Sequence, residues 1–415
     1  MALLSLASCG SVSQSVPARQ SSLPPGERLY IWNDEPGSAS QRLIAFHPGS
    51  TQALTLPVGL VSQDHQRLYA ATASGDHTTI AIYDTQTGAV QRTFTVPGTY
   101  STSGMGFADA VLSGDGHWLA LRGMRPVAGK TSLAVVDTQT GTLAAVTLDG
   151  DFELDGISPA GTMLYLIQQL GDSGHHYYVR AYGVVARALV EGIIVDKTAI
   201  DEAQMNGAPL TRQTVRDGSR AYTLYIDPER NIAFIHGLPL ANDANGPLFA
   251  RCIDLPVGAT GDLLPYYTLA LSADGKTLYA ANAALGLVTS VSAQGDIFSV
   301  NITSTSGFGS GIIPLAAMKW GQVLSGGSAL SADQKTLYVA GAHGIWAIDT
   351  ASLRLRQSFL TDRAFSSLAA SADGQTLYAV DPSRSVVVIS LSTGKITSTL
   401  SDVAPHPMSI GWVAG

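Results

Sequence analysis

The sequence predicts an all-β chain folded as a single β-propeller of four-stranded blades. Three observations carry that expectation. A nine-residue phrase recurs: residues 272–280 read Ser-Ala-Asp-Gly-Lys-Thr-Leu-Tyr-Ala, 331–339 read Ser-Ala-Asp-Gln-Lys-Thr-Leu-Tyr-Val, and 371–379 read Ser-Ala-Asp-Gly-Gln-Thr-Leu-Tyr-Ala. Looser copies begin at Ser62, Ser113, Ser158 and Asp217, giving a repeat of roughly 40–60 residues built from short apolar runs and turn signals. The two ends of the chain hold incomplete units that complement each other.

Each part of the unit has a physical reason. In the Asp-Gly turn the Asp side chain accepts backbone N–H bonds and Gly takes positive φ cheaply. The Leu-Tyr-Ala or Leu-Tyr-Val run after it is a strand with apolar side chains on both faces, which suits a sheet sandwiched between two neighbours. A second turn follows in Asp84-Thr-Gln-Thr-Gly88, Asp137-Thr-Gln-Thr-Gly141 and Leu391-Ser-Thr-Gly394. Its Gly fits the left-handed position of a short hairpin loop. One unit is therefore strand, Asp-Gly turn, strand, variable loop, strand, Thr-x-Thr-Gly turn, strand.

In chain order, residues 28–32, 41–46 and 51–56 supply three strands with no Asp-Gly strand ahead of them. Seven turn-bearing units follow, and residues 407–413 supply a lone first-type strand. Pairing the ends completes a composite blade and removes an open edge. Seven units plus the composite make eight blades the favoured count. A seven-bladed ring stays open if the irregular stretch 186–265 is not a full blade.

Composition narrows the function classes. Of 415 residues, 45% are hydrophobic and only 13% charged, which describes a well-packed chain with a quiet surface. The formal charge of −8 argues against a nucleic-acid partner, which calls for a basic face. The sequence has no run of about 18 apolar residues, the length that would span a bilayer. Two cysteines, Cys9 and Cys252, cannot form a disulfide framework, and no Cys/His cluster offers a metal or haem site, so no metal or cofactor is expected.

Residues 1–9 end in Leu6-Ala7-Ser8-Cys9, which resembles a bacterial lipobox, where cleavage precedes a Cys that becomes lipid-modified. The segment lacks a basic n-region and its apolar stretch is short, as a translation start upstream of Met1 would explain. The resemblance implies Cys9 as a lipidation site and the only membrane attachment, with an extracytoplasmic, lipid-anchored or otherwise secreted protein. Residues 10–27, rich in Ser, Gln and Pro, fit a disordered tether, and 28–415 the propeller.

From about Leu29 onward the repeats resemble the YVTN-type, lactonase-like repeat propellers, a family of bacterial surface and periplasmic proteins. The motif is specific for fold and poor for function. In such blades the Asp-Gly and Thr-x-Thr-Gly turns share one face of the disc, and the remaining loops share the other. Here the second kind is long and irregular, at 96–106, 168–177, 196–211, 257–267 and 303–322, and loops lengthened on one side of a rigid scaffold are where binding residues are usually placed.

Candidate ligand-binding residues on that face are Arg125, His175, His176, Arg212, Trp320, His343, Arg363 and His406. Arg and Trp in concave places are common anchors for small acids or protein partners, although each alone is more often a structural or rim residue. Adjacent His175 and His176 on a strand would point apart, which disfavours a paired metal site. The run Asp149-Gly-Asp151-Phe-Glu153-Leu-Asp155 lacks the order of a calcium loop and reads as solvated turn carboxylates. Residues 196–205 read as one helical turn over the face, His236 as a hydrogen-bonded core histidine and Cys252 as a small buried hydrophobe.

No phosphate loop or Gly-x-Ser-x-Gly elbow is present. The sequence therefore points to a non-enzymatic extracytoplasmic scaffold binding a protein, glycan or small ligand on its long-loop face. The alternative is a lactonase-like hydrolase with its site at the channel mouth, which would need a nest of ionisable groups there. A quinone- or haem-bearing dehydrogenase is disfavoured by the missing cysteine and tryptophan signatures.

Overall fold

Eight sheets of four antiparallel strands, one of them extended by a fifth strand, follow one another along the chain. The computed structural model describes residues 26–34, 41–48, 50, 52–102, 109–124, 129–171, 176–196, 205–242, 249–292, 300–304, 327–400 and 404–415. Blade 1 comprises Leu60–Val61, Arg67–Ser74, His77–Asp84 and Val90–Pro97. Blade 2 comprises Ala110–Leu112, Trp118–Arg122, Lys130–Asp137 and Leu143–Asp149, and blade 3 comprises Asp151–Ile157, Met163–Gln169, Tyr177–Gly183 and Ala188–Leu189. In blade 4, Ala208–Thr214, Arg220–Asp227, Ile232–Pro239 and Phe249–Asp254 form a regular meander, so the stretch 186–265 does yield a full blade and the ring has eight.

Blades 5, 6 and 7 start at Tyr267, Ser328 and Ser367. Blade 8 is the composite: Pro407–Ala414 pairs antiparallel with Arg28–Asp34, which continues into Gln41–Phe46 and Ala53–Pro57. The residue pairs Tyr30↔Trp412 and Ile31↔Ile410 fix its register.

The repeat phrase builds its turn with two side chains. Ser272 Oγ donates to Asp274 Oδ1 at 2.6 Å, and the same carboxylate accepts the Lys276 N–H at 3.0 Å. Ser272 Oγ also accepts the Thr277 N–H at 2.9 Å. Ser331 with Asp333 and Ser371 with Asp373 repeat the pattern. Gly275 and Gly374 sit at φ of 70° and 69°, and Gln334 takes the same left-handed position at 61° where the second copy lacks Gly.

The second turn is tied to the first. Asp84, Asp137 and Asp349 each accept two backbone N–H groups from the next three residues. The Thr that follows each Asp donates its hydroxyl to the first turn of the same blade, Thr85 to His65, Thr138 to Gly116 and Thr350 to Gln334. Both turns therefore lie on one face of the disc, as the spacing predicts.

Successive residues of the Leu-Tyr run enter different cores. Leu278, Leu337 and Leu377 pack towards the preceding blade, whereas Tyr279, Tyr338 and Tyr378 pack towards the following one. The eight buried clusters fall one at each of the eight blade interfaces. Each fully buried leucine contributes about 1.5–3 kcal/mol. Stability is thus spread around the ring rather than concentrated in one core.

Candidate functional site

The most elaborate polar environment lies between blades 3 and 4, on the long-loop face. Along the inner strand Asp151–Ile157, Phe152 and Leu154 alternate into the core shared with blade 2, which turns Glu153 and Asp155 towards blade 4. A bulge between Leu154 and Gly156 and another between Pro209 and Thr211 adjust the two inner strands, and bulges re-aim side chains in this way. Arg212 then meets Asp155: its Nη2 bonds Asp155 Oδ1, its Nη1 bonds the Asp155 carbonyl, and its Nε donates to Thr223 Oγ1 at 2.8 Å. Both side chains are buried, and Asp155 Oδ2 accepts no hydrogen bond.

Above this pair Tyr177 and Tyr225 face each other with ring centroids 5.8 Å apart. Tyr225 stacks on Phe234 at 5.4 Å and meets the buried His236 edge-on. Burial pushes both phenols well above the ordinary tyrosine range, and the charge of Asp155 pushes the same way. They stay protonated and serve as donors and apolar ring surface.

Tyr177 and Tyr225 line the floor of a cavity of about 580 Å³, within the usual range for small-molecule sites. Ile167, Ala208, Pro209 and Ile226 supply apolar wall, and Glu153, Gln169 and Asp227 supply polar groups. Burial lifts the Glu153 carboxyl above its usual range, against the pull of Arg122 and a hydrogen bond with Gln169. Near Glu153, Arg122 bonds Asp151 at 2.7 Å and lies 3.7 Å from Asp109, while on the cavity wall Arg230 pairs with Asp227 at 2.9 Å. Val195–Asp196, in the chain leaving blade 3, pairs in parallel with Phe249–Ala250 of blade 4 and so joins the outer edges of the two blades.

The acidic run thus differs from the solvated turn the sequence suggests. Asp149 and Asp151 are exposed, but Asp155 is 1% exposed and Glu153 is largely enclosed. The signal was present in Phe152 and Leu154, whose period of two marks a strand. Tyr177 and Tyr225 had no such signal, because their meeting depends on two blades packing side by side.

Of the eight candidate residues, Arg125, His175 and Trp320 lie outside the described residues, as do Cys9 and residues 197–204 of the anticipated helical turn. Arg212 is committed to its buried ion pair beneath the cavity. His176 precedes the cavity-lining Tyr177. His343 and Arg363 come together elsewhere, exposed on either side of a backbone bond from Gly344 N to the Arg363 carbonyl at 2.6 Å. His406 is part of the ring closure, its N–H donating to Asn33 Oδ1 and its carbonyl accepting from Asp34 N. Cys252 is only partly buried, against the core between blades 3 and 4. Among the described residues no group of three His, Cys, Asp or Glu side chains is arranged to hold a metal ion, and no helix is long and apolar enough to cross a membrane.

The chain matches no protein-family model and no curated protein sequence. Solved structures do resemble it. Apo AztD from Citrobacter koseri superposes with a TM-score of 0.54 at 13% identity, covering 94% of this chain and 98% of that one. A second structure of Citrobacter koseri AztD gives the same values. The periplasmic gluconolactonase PpgL of Pseudomonas aeruginosa has a TM-score of 0.41 at 17% identity, covering 80% of this chain and 94% of that one. At these identities the likeness concerns the fold alone.

Proposed function

We propose that the chain is a non-enzymatic propeller scaffold that binds a small ligand on its long-loop face, in the cleft between blades 3 and 4. The observation that carries this reading is the 580 Å³ cavity, where an apolar wall and two tyrosines converge with a few polar groups on strand ends held by the ring. Rigid strands position such groups more accurately than loops do. The test is a thermal-shift screen of saccharides, amino acids, amines and short peptides against the wild type and Ala208→Trp, which fills the cleft. A ligand that raises the melting temperature of the wild type alone supports the reading. Equal shifts in both proteins place binding elsewhere and overturn it.

The same reading places the protein outside the cytoplasm, anchored through Cys9, and rests on Leu6-Ala7-Ser8-Cys9 and the polar stretch that follows. The natively expressed protein is expected to partition into the detergent phase of Triton X-114, and a Cys9→Ser form into the aqueous phase. Aqueous partition of the unmodified protein rejects the anchor.

One observation favours a second reading, a lactonase-like hydrolase. Glu153 has a raised pKa and lies beside the Arg122, Asp109 and Asp151 group, and a carboxyl tuned upward suits general acid–base work. Turnover of an aldonolactone, followed by proton release, is expected to vanish in Glu153→Gln if this reading holds. Equal rates for both proteins exclude it.

A further inference from the structure

We infer that the cleft between blades 3 and 4 selects an organic cation, an amine or quaternary ammonium carried on an apolar body. The inference rests on the binding reading above and specifies its ligand.

Charge is the first ground. Among the described residues near the cleft, Arg122 is matched by Asp109 and Asp151, Arg212 by Asp155, and Arg230 by Asp227. Glu153, whose hydrogen-bond partner is the uncharged Gln169, and Glu229 on the rim leave the described lining with surplus negative charge. An anionic ligand would meet repulsion here, and a neutral one would leave that surplus unanswered.

The floor is the second ground. Tyr177 and Tyr225 line the cavity; Phe234 stacks on Tyr225, and a cation placed over the Tyr177 ring would gain from its quadrupole, most of all where water is excluded. The buried Asp155 is already balanced by Arg212, so it adds no net charge and leaves Glu153 and Glu229 as the surplus. Ile167, Pro209 and Ile226 offer no polar group to a sugar hydroxyl, but they suit a hydrocarbon or ring. Carboxylate, aromatic floor and apolar wall together describe a receptor for an amphiphilic cation. Purely polar polyamines would leave the wall unused.

The test compares tryptamine with tryptophol, which replaces the ammonium by a hydroxyl on the same indole-ethyl body. Isothermal titration at low ionic strength is expected to show tryptamine binding about tenfold or more tighter than tryptophol. Glu153→Gln, close in shape to the native side chain, should bring tryptamine down to the tryptophol level, and Ala208→Trp should abolish both. A cooperative thermal transition in each variant certifies that it is folded.

Equal affinity for the two probes, or full tryptamine affinity in Glu153→Gln, overturns the cation inference while leaving the cleft as a binding site. Absence of tryptamine binding at millimolar concentration also overturns it. The cleft reading is then judged separately, by whether any ligand of the wider screen is lost in Ala208→Trp.

Discussion

Arg212 and Asp155 are the two side chains whose removal should be felt most. Their pair sits between the inner strands of blades 3 and 4, with side-chain exposures of 9% and 2%. Removing one partner strands the other charge in the interior, which typically costs about 3–5 kcal/mol. Arg212→Leu is therefore expected to lower the urea midpoint sharply, and the double variant Arg212→Leu with Asp155→Leu should recover much of the loss. Additive losses in that pair would show that the two charges are not coupled. Glu153 makes the opposite kind of contribution, because burial raises its pKa in the folded state. Between the ordinary glutamate range and that raised value, the native protein holds a proton that the unfolded chain releases. The associated stability is fully present below the ordinary glutamate range and is lost as pH rises through the raised value. In Glu153→Gln the stability profile should flatten across that window, as measured by urea unfolding at successive pH values. None of this was legible from spacing, since Asp155 and Arg212 are 57 residues apart and meet only through two bulges.

At the scale of the element, the repeated turn was legible because it is local. Six residues contain the donor, the acceptor and the left-handed position, so Ser, Asp and Gly in fixed order define it before any blade forms. The Ser hydroxyl carries a role that turn composition alone does not reveal: it locks the carboxylate and accepts the N–H that starts the next strand. These bonds carry a pH signature. Hydrogen bonds from Ser272, Ser331 and Ser371, followed by backbone N–H groups, hold Asp274, Asp333 and Asp373 below the usual carboxylate range. In the second turn, Ser352 and Arg356 take Asp349 down to about 2. A lowered folded pKa gives stability that is present above the ordinary Asp range and lost as pH falls through the lowered values. Replacing Asp274, Asp333 and Asp373 together by Asn, which keeps an acceptor but cannot titrate, should shallow the acid-unfolding limb. An unchanged acid limb would mean that the turns do not set acid stability.

The ring as a whole depends on one seam. Counting incomplete units at the two ends was enough to anticipate the composite blade, because a propeller leaves no strand unpaired. Counting could not anticipate the stack that holds it. Trp412, in the last strand, lies face to face with Tyr30 at 4.1 Å on one side and His65 of the blade 1 turn at 4.7 Å on the other. The stack thus links the final strand, the first strand and the first complete blade, and Trp412 is 8% exposed. Truncating so large a buried ring typically costs about 3–5 kcal/mol. Here the loss should be directional, since the two strands it joins come from opposite ends of the chain and no covalent turn keeps them together. Amide hydrogen exchange on Trp412→Ala should accelerate first in Arg28–Asp34 and Pro407–Ala414, while blades 4 and 5, opposite the seam, keep their protection. Trp412→Phe, which retains a stacking ring, should lie between the two. Uniform acceleration around the ring would mean that the blades unfold as a single unit, and the seam would then be no weaker than any other interface.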